Sequence, residues 1–275
     1  MLKKVLKRGA VLAILAWGMF CLSVYFFPRF FFYHPSLKKA SLDNAHANHF
    51  PAQEVTYLNA DGIELYAWYV APKNKGKVIV YLHGNSKNIE AFYHKLVPLA
   101  EAGYGVLMPE YRGFGGIRGE INQENLEKDA LAALSYLREK GWKNKDIILY
   151  GMSLGSYTAT YTAYQDGRNE SFAALVLEVP FDSLFNVVRQ RIWPLFPLNW
   201  LIRDRYDNLQ MISQITSPIL IMAGSKDTTV PIERARALFA AAQNPKELIV
   251  YTGAEHSSLY NHRNWRDLLE WLQKQ

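Results

Sequence analysis

The stretch Asp146-Ile147-Ile148-Leu149-Tyr150-Gly151-Met152-Ser153-Leu154-Gly155-Ser156 restricts the fold more than any other part of the chain. Four consecutive apolar or aromatic residues read as a strand covered on both faces. Gly-x-Ser-x-Gly follows at once, and the run Tyr157 to Tyr164 suits a helix. A strand that turns sharply into a helix at a serine exposes that side chain at the C-terminal edge of a sheet. Gly151 and Gly155 leave room for a strained turn and for close helix–strand approach. The five-residue string alone is common; its position between a buried strand and a helix gives it weight.

The rest of the chain supplies a sheet for that strand. Glu54–Leu58 and Ile63–Val70 flank Asn59-Ala60-Asp61-Gly62, a hairpin signal with Asp-Gly at the turn. Further strands are predicted at Val78–Leu82, Gly105–Met108, Ala173–Leu177, Ile219–Met222 and Glu247–Tyr251. Between them, helices are predicted at Ile89–Ala102, from Leu126 to near Gly141, at Ile232–Ala242 and at Asn264–Gln273. Pro180 to Ser213 breaks this rhythm and carries Phe181, Phe185, Trp193, Phe196 and Trp200. The pattern predicts an α/β fold with a mostly parallel central sheet and helices on both faces. One domain is expected over residues 51–275, with a small helical cap inserted at about 181–213.

The N-terminus reads differently. Gly9 to Phe27 is an uncharged, largely apolar run of 19 residues, long enough to cross a bilayer as a helix. It exits into Pro28-Arg29-Phe30-Phe31-Phe32-Tyr33 without a small-residue cleavage site, so an uncleaved signal anchor is expected over residues 1–33. Bulky Met19 and Phe20 before Cys21 argue against lipidation of that lone cysteine. Phe30 to Tyr33 suits an interfacial aromatic belt, and residues 34–50 read as a polar tether. Lys3, Lys4, Lys7 and Arg8 favour a cytoplasmic N-terminus, placing the bulk of the chain on the non-cytoplasmic side, the periplasm in a bacterium. Setting aside these four charges and Arg29 leaves 26 basic against 25 acidic residues. The excess positive charge is therefore local, and no nucleic-acid partner is expected.

A serine hydroxyl attacks well only when a base takes its proton and a third group orients that base. Asp227 follows the strand Ile219–Met222, and His256 follows the next strand, at the same sheet edge as Ser153. The order Ser153, Asp227, His256 is that of α/β-hydrolases. Asp182, after the preceding strand, is the reserve acid; Glu255 is discounted because adjacent side chains diverge. An oxyanion would be met by the Leu154 N–H at the helix start and by the Asn85 N–H after Val78–Leu82. His83 and Gly84 support that loop, glycine permitting the turn and the imidazole pinning its neighbours. The remaining histidines (34, 46, 49, 94 and 262) read as surface or packing residues, and no metal or other cofactor is expected.

His83-Gly84-Asn85, Tyr111-Arg112-Gly113-Phe114-Gly115, Gly151-Met152-Ser153-Leu154-Gly155, Glu178-Val179-Pro180-Phe181-Asp182-Ser183, Gly224-Ser225-Lys226-Asp227 and Glu255-His256 occur in this order. Together they resemble membrane-anchored α/β-hydrolase-domain proteins, a group similar to lysophospholipases, acyl-protein thioesterases and serine aminopeptidase-like hydrolases. The resemblance runs from about Glu54 to the C-terminus and is specific for superfamily and triad. It implies a serine hydrolase acting on acyl esters or thioesters; substrate choice within the group is broad. Glu110 departs from the Asp that relatives often carry before Tyr-Arg-Gly. A peptidase, and a non-catalytic membrane-tethered interaction module, are the alternative readings. Acyl length, head group and oligomeric state have no signature in the sequence.

Overall fold

In the computed structural model, which describes residues 2–73, 76–191, 196–243 and 245–275, all five residues of the strand Val78–Leu82 are buried. Val78, Val80 and Leu82 enter one core, while Ile79 and Tyr81 enter another on the opposite face. A strand dry on both faces belongs inside a sheet with helices on each side. Among the described residues the sheet has eight strands: β1 (Gln53–Leu58), β2 (Glu64–Val70), β3 (Val78–Leu82), β4 (Gly105–Pro109), β5 (Ile147–Met152), β6 (Ala174–Glu178), β7 (Ile219–Gly224) and β8 (Lys246–Tyr251). Their spatial order is β8-β7-β6-β5-β3-β4-β2-β1. Only β2 runs antiparallel to its neighbours, β1 and β4; the other pairs are parallel.

The principal helices are α1 (Leu2–Phe26), α2 (Gln123–Glu139), α3 (Leu154–Asp166), α4 (Leu184–Arg191), α5 (Leu198–Leu201), α6 (Leu209–Ile212), α7 (Ile232–Ala241) and α8 (Asn264–Leu272). The Asn122 side chain caps α2 by accepting the Asn125 N–H at 2.9 Å, and the chain leaves α2 through Gly141 at φ 89°. Leu126, Ala130, Leu134 and Leu137 of α2 share a core with Ala159 and Ala163 of α3; Leu268 and Trp271 of α8 close the opposite face. The chain thus has the α/β-hydrolase architecture, with α4, α5 and α6 forming the cap insertion. Trp193 lies outside the described residues. α1 is apolar and long enough to cross a membrane over Lys3–Phe26.

Two stretches differ from the sequence expectation. Ile89–Ala102 is not one helix but two 3₁₀ turns, Ile89–Ala91 and Tyr93–Lys95, followed by a short helix at Val97–Glu101. Pro98 lacks an N–H and fits only the first turn of a helix, so the last piece starts beside it. Residues 34–50, expected as a tether, pack onto the domain. His34–Pro35 pairs in parallel with Ser86–Lys87, and Ala45 and Phe50 are buried with Trp68 in the core. Tyr33, expected at a membrane interface, is 4% exposed and hydrogen-bonds the Tyr206 hydroxyl at 2.5 Å. Isolated apolar residues in a polar stretch carry no period; the groove that buries these comes from distant strands and the cap.

The loop after β4 is held by a buried ion pair. Asp129 of α2 accepts from the Arg112 backbone N–H at 2.8 Å and from its Nη2 at 2.6 Å, and also from Asn59 Nδ2 at 2.8 Å. Removing the carboxylate strands the guanidinium in a dry site, partly relieved by Asp61 at 2.7 Å from Nη1. Asp129→Ala is expected to destabilise the fold by about 3 kcal/mol, read as a lower Tm for the full chain in detergent. An unchanged Tm would mean that water reaches Arg112.

Candidate active site

Ser153 stands between β5 and α3 with φ 54° and ψ −117°, a backbone conformation that costs a non-glycine residue about 1–3 kcal/mol. Two features hold it there. Its N–H donates to the Glu178 carbonyl at the end of β6, at 2.9 Å. A Cβ added to Gly155 would stand 1.9 Å from the Leu82 carbonyl oxygen, and one on Gly151 would stand 2.1 Å from the Gly155 carbonyl oxygen. Only glycine lets α3 start this close to the sheet.

Asp227 and His256 arrive from the loops after β7 and β8. Asp227 Oδ1 accepts the N–H groups of Thr229 (2.8 Å) and Val230 (2.7 Å), which fixes the carboxylate. Its Oδ2 faces His256 Nδ1 at 2.7 Å, and His256 Nε2 lies 3.0 Å from Ser153 Oγ. With a carboxylate on Nδ1, that nitrogen carries the proton and Nε2 accepts from the serine hydroxyl. The arrangement is suited to moving a proton off Ser153 as the oxygen attacks a carbonyl. Asp182 is elsewhere: its Oδ2 accepts from Arg234 Nη1 and Asn186 Nδ2, each at 2.9 Å, joining the cap to α7. Glu255 is exposed and makes no bond to His256.

Leu154 opens α3, so its N–H has no acceptor within the helix. Asn85 and Ser153 line the same cavity. The Asn85 loop is gripped by the segment after α1: its carbonyl accepts the His34 N–H at 2.8 Å, and its Nδ2 donates to the Phe32 carbonyl at 2.7 Å. Nothing in the sequence signals this contact. His83 is fully buried, with Nε2 2.9 Å from Glu110 Oε1 and Nδ1 2.8 Å from the Gly84 carbonyl. Glu110 also accepts the N–H groups of Ile89 (3.0 Å) and Tyr111 (3.2 Å), so the pair ties the loops after β3 and β4 together. The Glu110 side chain spans this gap.

A second buried group escapes sequence reasoning. Lys95 Nζ lies 2.6 Å from Glu178 Oε1, and the Tyr150 hydroxyl donates to Oε2 at 2.5 Å. Burial first, and then the Glu178 charge, push that hydroxyl well above the ordinary tyrosine range, so it keeps its proton. The group lies beneath the elbow, on the residue whose carbonyl receives the Ser153 N–H. In the sequence Lys95 falls within a stretch that reads as a helix, and no local rule marks it.

A cavity of about 540 Å³ opens from Ser153. Its walls are mostly apolar and include Phe181, Leu184 and Val187 of the cap region, and also Phe20 and Val24 of α1.

Comparison with known proteins agrees with this architecture. Residues 90–275, more than half of the chain, match the prolyl oligopeptidase family. The chain is similar to an uncharacterised protein of Mycobacterium tuberculosis, 33% identical over 210 residues that cover 74% of this chain and 72% of the relative. It is similar to the α/β-hydrolase domain-containing protein WAV2 of Arabidopsis thaliana, 26% identical with coverage of 81% and 79%. Among solved structures, an esterase of Pyrococcus furiosus shares the fold with a TM-score of 0.70 at 20% identity, covering 88% of this chain and 98% of the esterase. The matched region contains the Ser153 elbow and the Asp227 and His256 loops, and the chain belongs to the prolyl oligopeptidase family of α/β-hydrolases.

Proposed function

We propose that the chain is a membrane-tethered serine hydrolase that cleaves carboxyl-ester or thioester bonds of lipid-like or small acyl substrates. The observation that carries this reading is the hydrogen-bonded line Ser153–His256–Asp227 at the mouth of an apolar cavity. Ser153 Oγ attacks the acyl carbonyl carbon while its proton passes to His256 Nε2. The backbone N–H groups of Asn85 and Leu154 receive the oxyanion, where preorganised donors are most valuable. Collapse of the intermediate expels the alcohol or thiol, which takes the proton from His256 and leaves an acyl-Ser153 ester. Water, deprotonated by the same imidazole, releases the acid and restores the serine.

Membership of the prolyl oligopeptidase family favours a second reading, a peptidase of the serine aminopeptidase type. The same groups attack an amide, but no acidic side chain is among the described residues lining the cavity, so an α-ammonium group finds no counter-charge there. Hydrolysis of aminoacyl-arylamides without cleavage of acyl esters would favour the peptidase. Residues 1–33 serve as the signal anchor, and residues 51–275 form the hydrolase domain with its cap at about 181–213. The positive residues before the apolar run support a cytoplasmic N-terminus and a catalytic domain on the other side, the periplasm in a bacterium.

Ser153→Ala is expected to abolish labelling by a fluorophosphonate probe and to lower ester kcat by about 10⁶-fold; labelling that survives the substitution, or a folded wild type that never labels, as an interaction module would behave, sinks the hydrolase reading. Asp227→Asn is expected to lower kcat by about 10⁴-fold with little change in KM. A larger loss in Asp182→Asn than in Asp227→Asn would move the acid to Asp182. A C-terminal reporter that folds only outside the cytoplasm is expected to be active, and activity of a cytoplasm-only reporter would reverse the topology.

A further inference from the structure

One wall of the Ser153 cavity comes from outside the α/β domain. Phe20 and Val24, one helical turn apart on α1, line it together with Leu198 and Leu201 of the cap. The contact continues deeper along the helix. Phe196, just before α5, packs on Phe20 with ring centroids 5.7 Å apart and on Trp17 at 6.2 Å. Trp17 stands in the middle of the apolar run, and at 1.5 Å per residue it lies about 14 Å before the end of α1. A hydrocarbon core is about 30 Å thick. A cap turn that touches the middle of a spanning helix must itself enter the membrane. Trp200 on that turn is 77% exposed, an uncommon position for a tryptophan facing water. At the other end of the contact, the exposed Arg203 sets its guanidinium over the Tyr25 ring at 5.0 Å, where lipid head groups would lie.

We propose that the Ser153 cavity opens sideways into the bilayer between α1 and the cap turn Phe196–Leu201, and that it takes up the single long acyl chain of a membrane lipid through that gap. The proposal rests on the serine-hydrolase reading and adds to it the route and the class of acyl chain. Phe20 and Val24 on one side and Leu198 and Leu201 on the other line the cavity where α1 meets the cap; Val24 and Leu201 pack together there, so these side chains part to admit the chain. A chain that passes from hydrocarbon into an apolar cavity never meets water, so no hydrophobic free energy is lost on the way. The cavity, at about 540 Å³, is of the size that small-molecule sites have. The scissile carbonyl then stops at Ser153, and the head group stays outside the apolar cavity.

The test uses the full chain in phosphatidylcholine nanodiscs with two esters of the same leaving group, water-soluble p-nitrophenyl butyrate and membrane-held p-nitrophenyl palmitate. Val24→Trp and Leu201→Trp would plug the gap. The ratio of kcat/KM for palmitate to kcat/KM for butyrate is expected to fall by about tenfold or more in each. Equal losses on both esters, or an undiminished palmitate rate, overturn the route. A wild-type protein that cleaves neither ester in a Ser153-dependent way overturns the hydrolase reading, and the route with it. A nitroxide on Trp200→Cys in a Cys21→Ala background gives a second measurement that needs no catalysis. It is expected to be accessible to oxygen and shielded from an aqueous nickel reagent. Exposure to nickel equal to that of a nitroxide on Lys140→Cys overturns insertion of the cap.

Discussion

Where α3 begins, the Gly155 backbone lies against the Leu82 carbonyl with no space for a side chain between them. That approach fixes how far the chain must turn between β5 and α3, and Ser153 absorbs the turn at positive φ. Strain of this kind persists only where the surroundings over-determine it. Here they do: the glycines set the crossing from one side, and the Glu178 carbonyl holds the Ser153 N–H from the other. The Lys95–Glu178–Tyr150 group fixes Glu178 in turn. The position of one hydroxyl therefore depends on the packing of a helix, three strands and a buried ion pair.

The same edge collects its other parts by topology. Parallel strands present all their C-terminal loops on one side, so Ser153, Asp227 and His256 meet although 103 residues separate the serine from the histidine. The loops are tied to one another by buried polar pairs. His83–Glu110 joins the loops after β3 and β4, and Arg112–Asp129 joins the second of these to α2. Each pair is dry and hydrogen-bonded on several sides, the condition under which buried charge specifies an arrangement at tolerable cost.

The segment after α1 makes the site continuous with the helix. Phe32 and His34 grip Asn85, Tyr33 bonds Tyr206 in the cap region, and Phe20 and Val24 line the cavity. A helix that reads as a separate anchor in the sequence is, in the folded chain, also part of the pocket wall. Most of its residues are exposed, but the buried side chains Cys21 and Val24 lie on the face toward Leu201.

Much of the fold was legible locally. The sheet strands, the hairpin, the apolar run and the helix of the elbow each have a period or turn signal carried by neighbouring residues. Ser153, Asp227 and His256 were legible because each follows a strand signal, and strand order then sets their edge. The tertiary structure alone decided how 34–50 packs, what Glu110 binds, and that Lys95 pairs with Glu178. These contacts join side chains far apart in sequence, and a pattern with a period of two or 3.6 residues holds no record of them. Ile89–Ala102 shows the same limit in reverse: its composition suits a helix, but Pro98 has no N–H to continue one, and the stretch forms two 3₁₀ turns and a short helix. By itself the sequence determined the elements and the chemical groups at their ends. Tertiary packing decided which groups touch, because that depends on the distances between elements, set here by glycines and buried pairs.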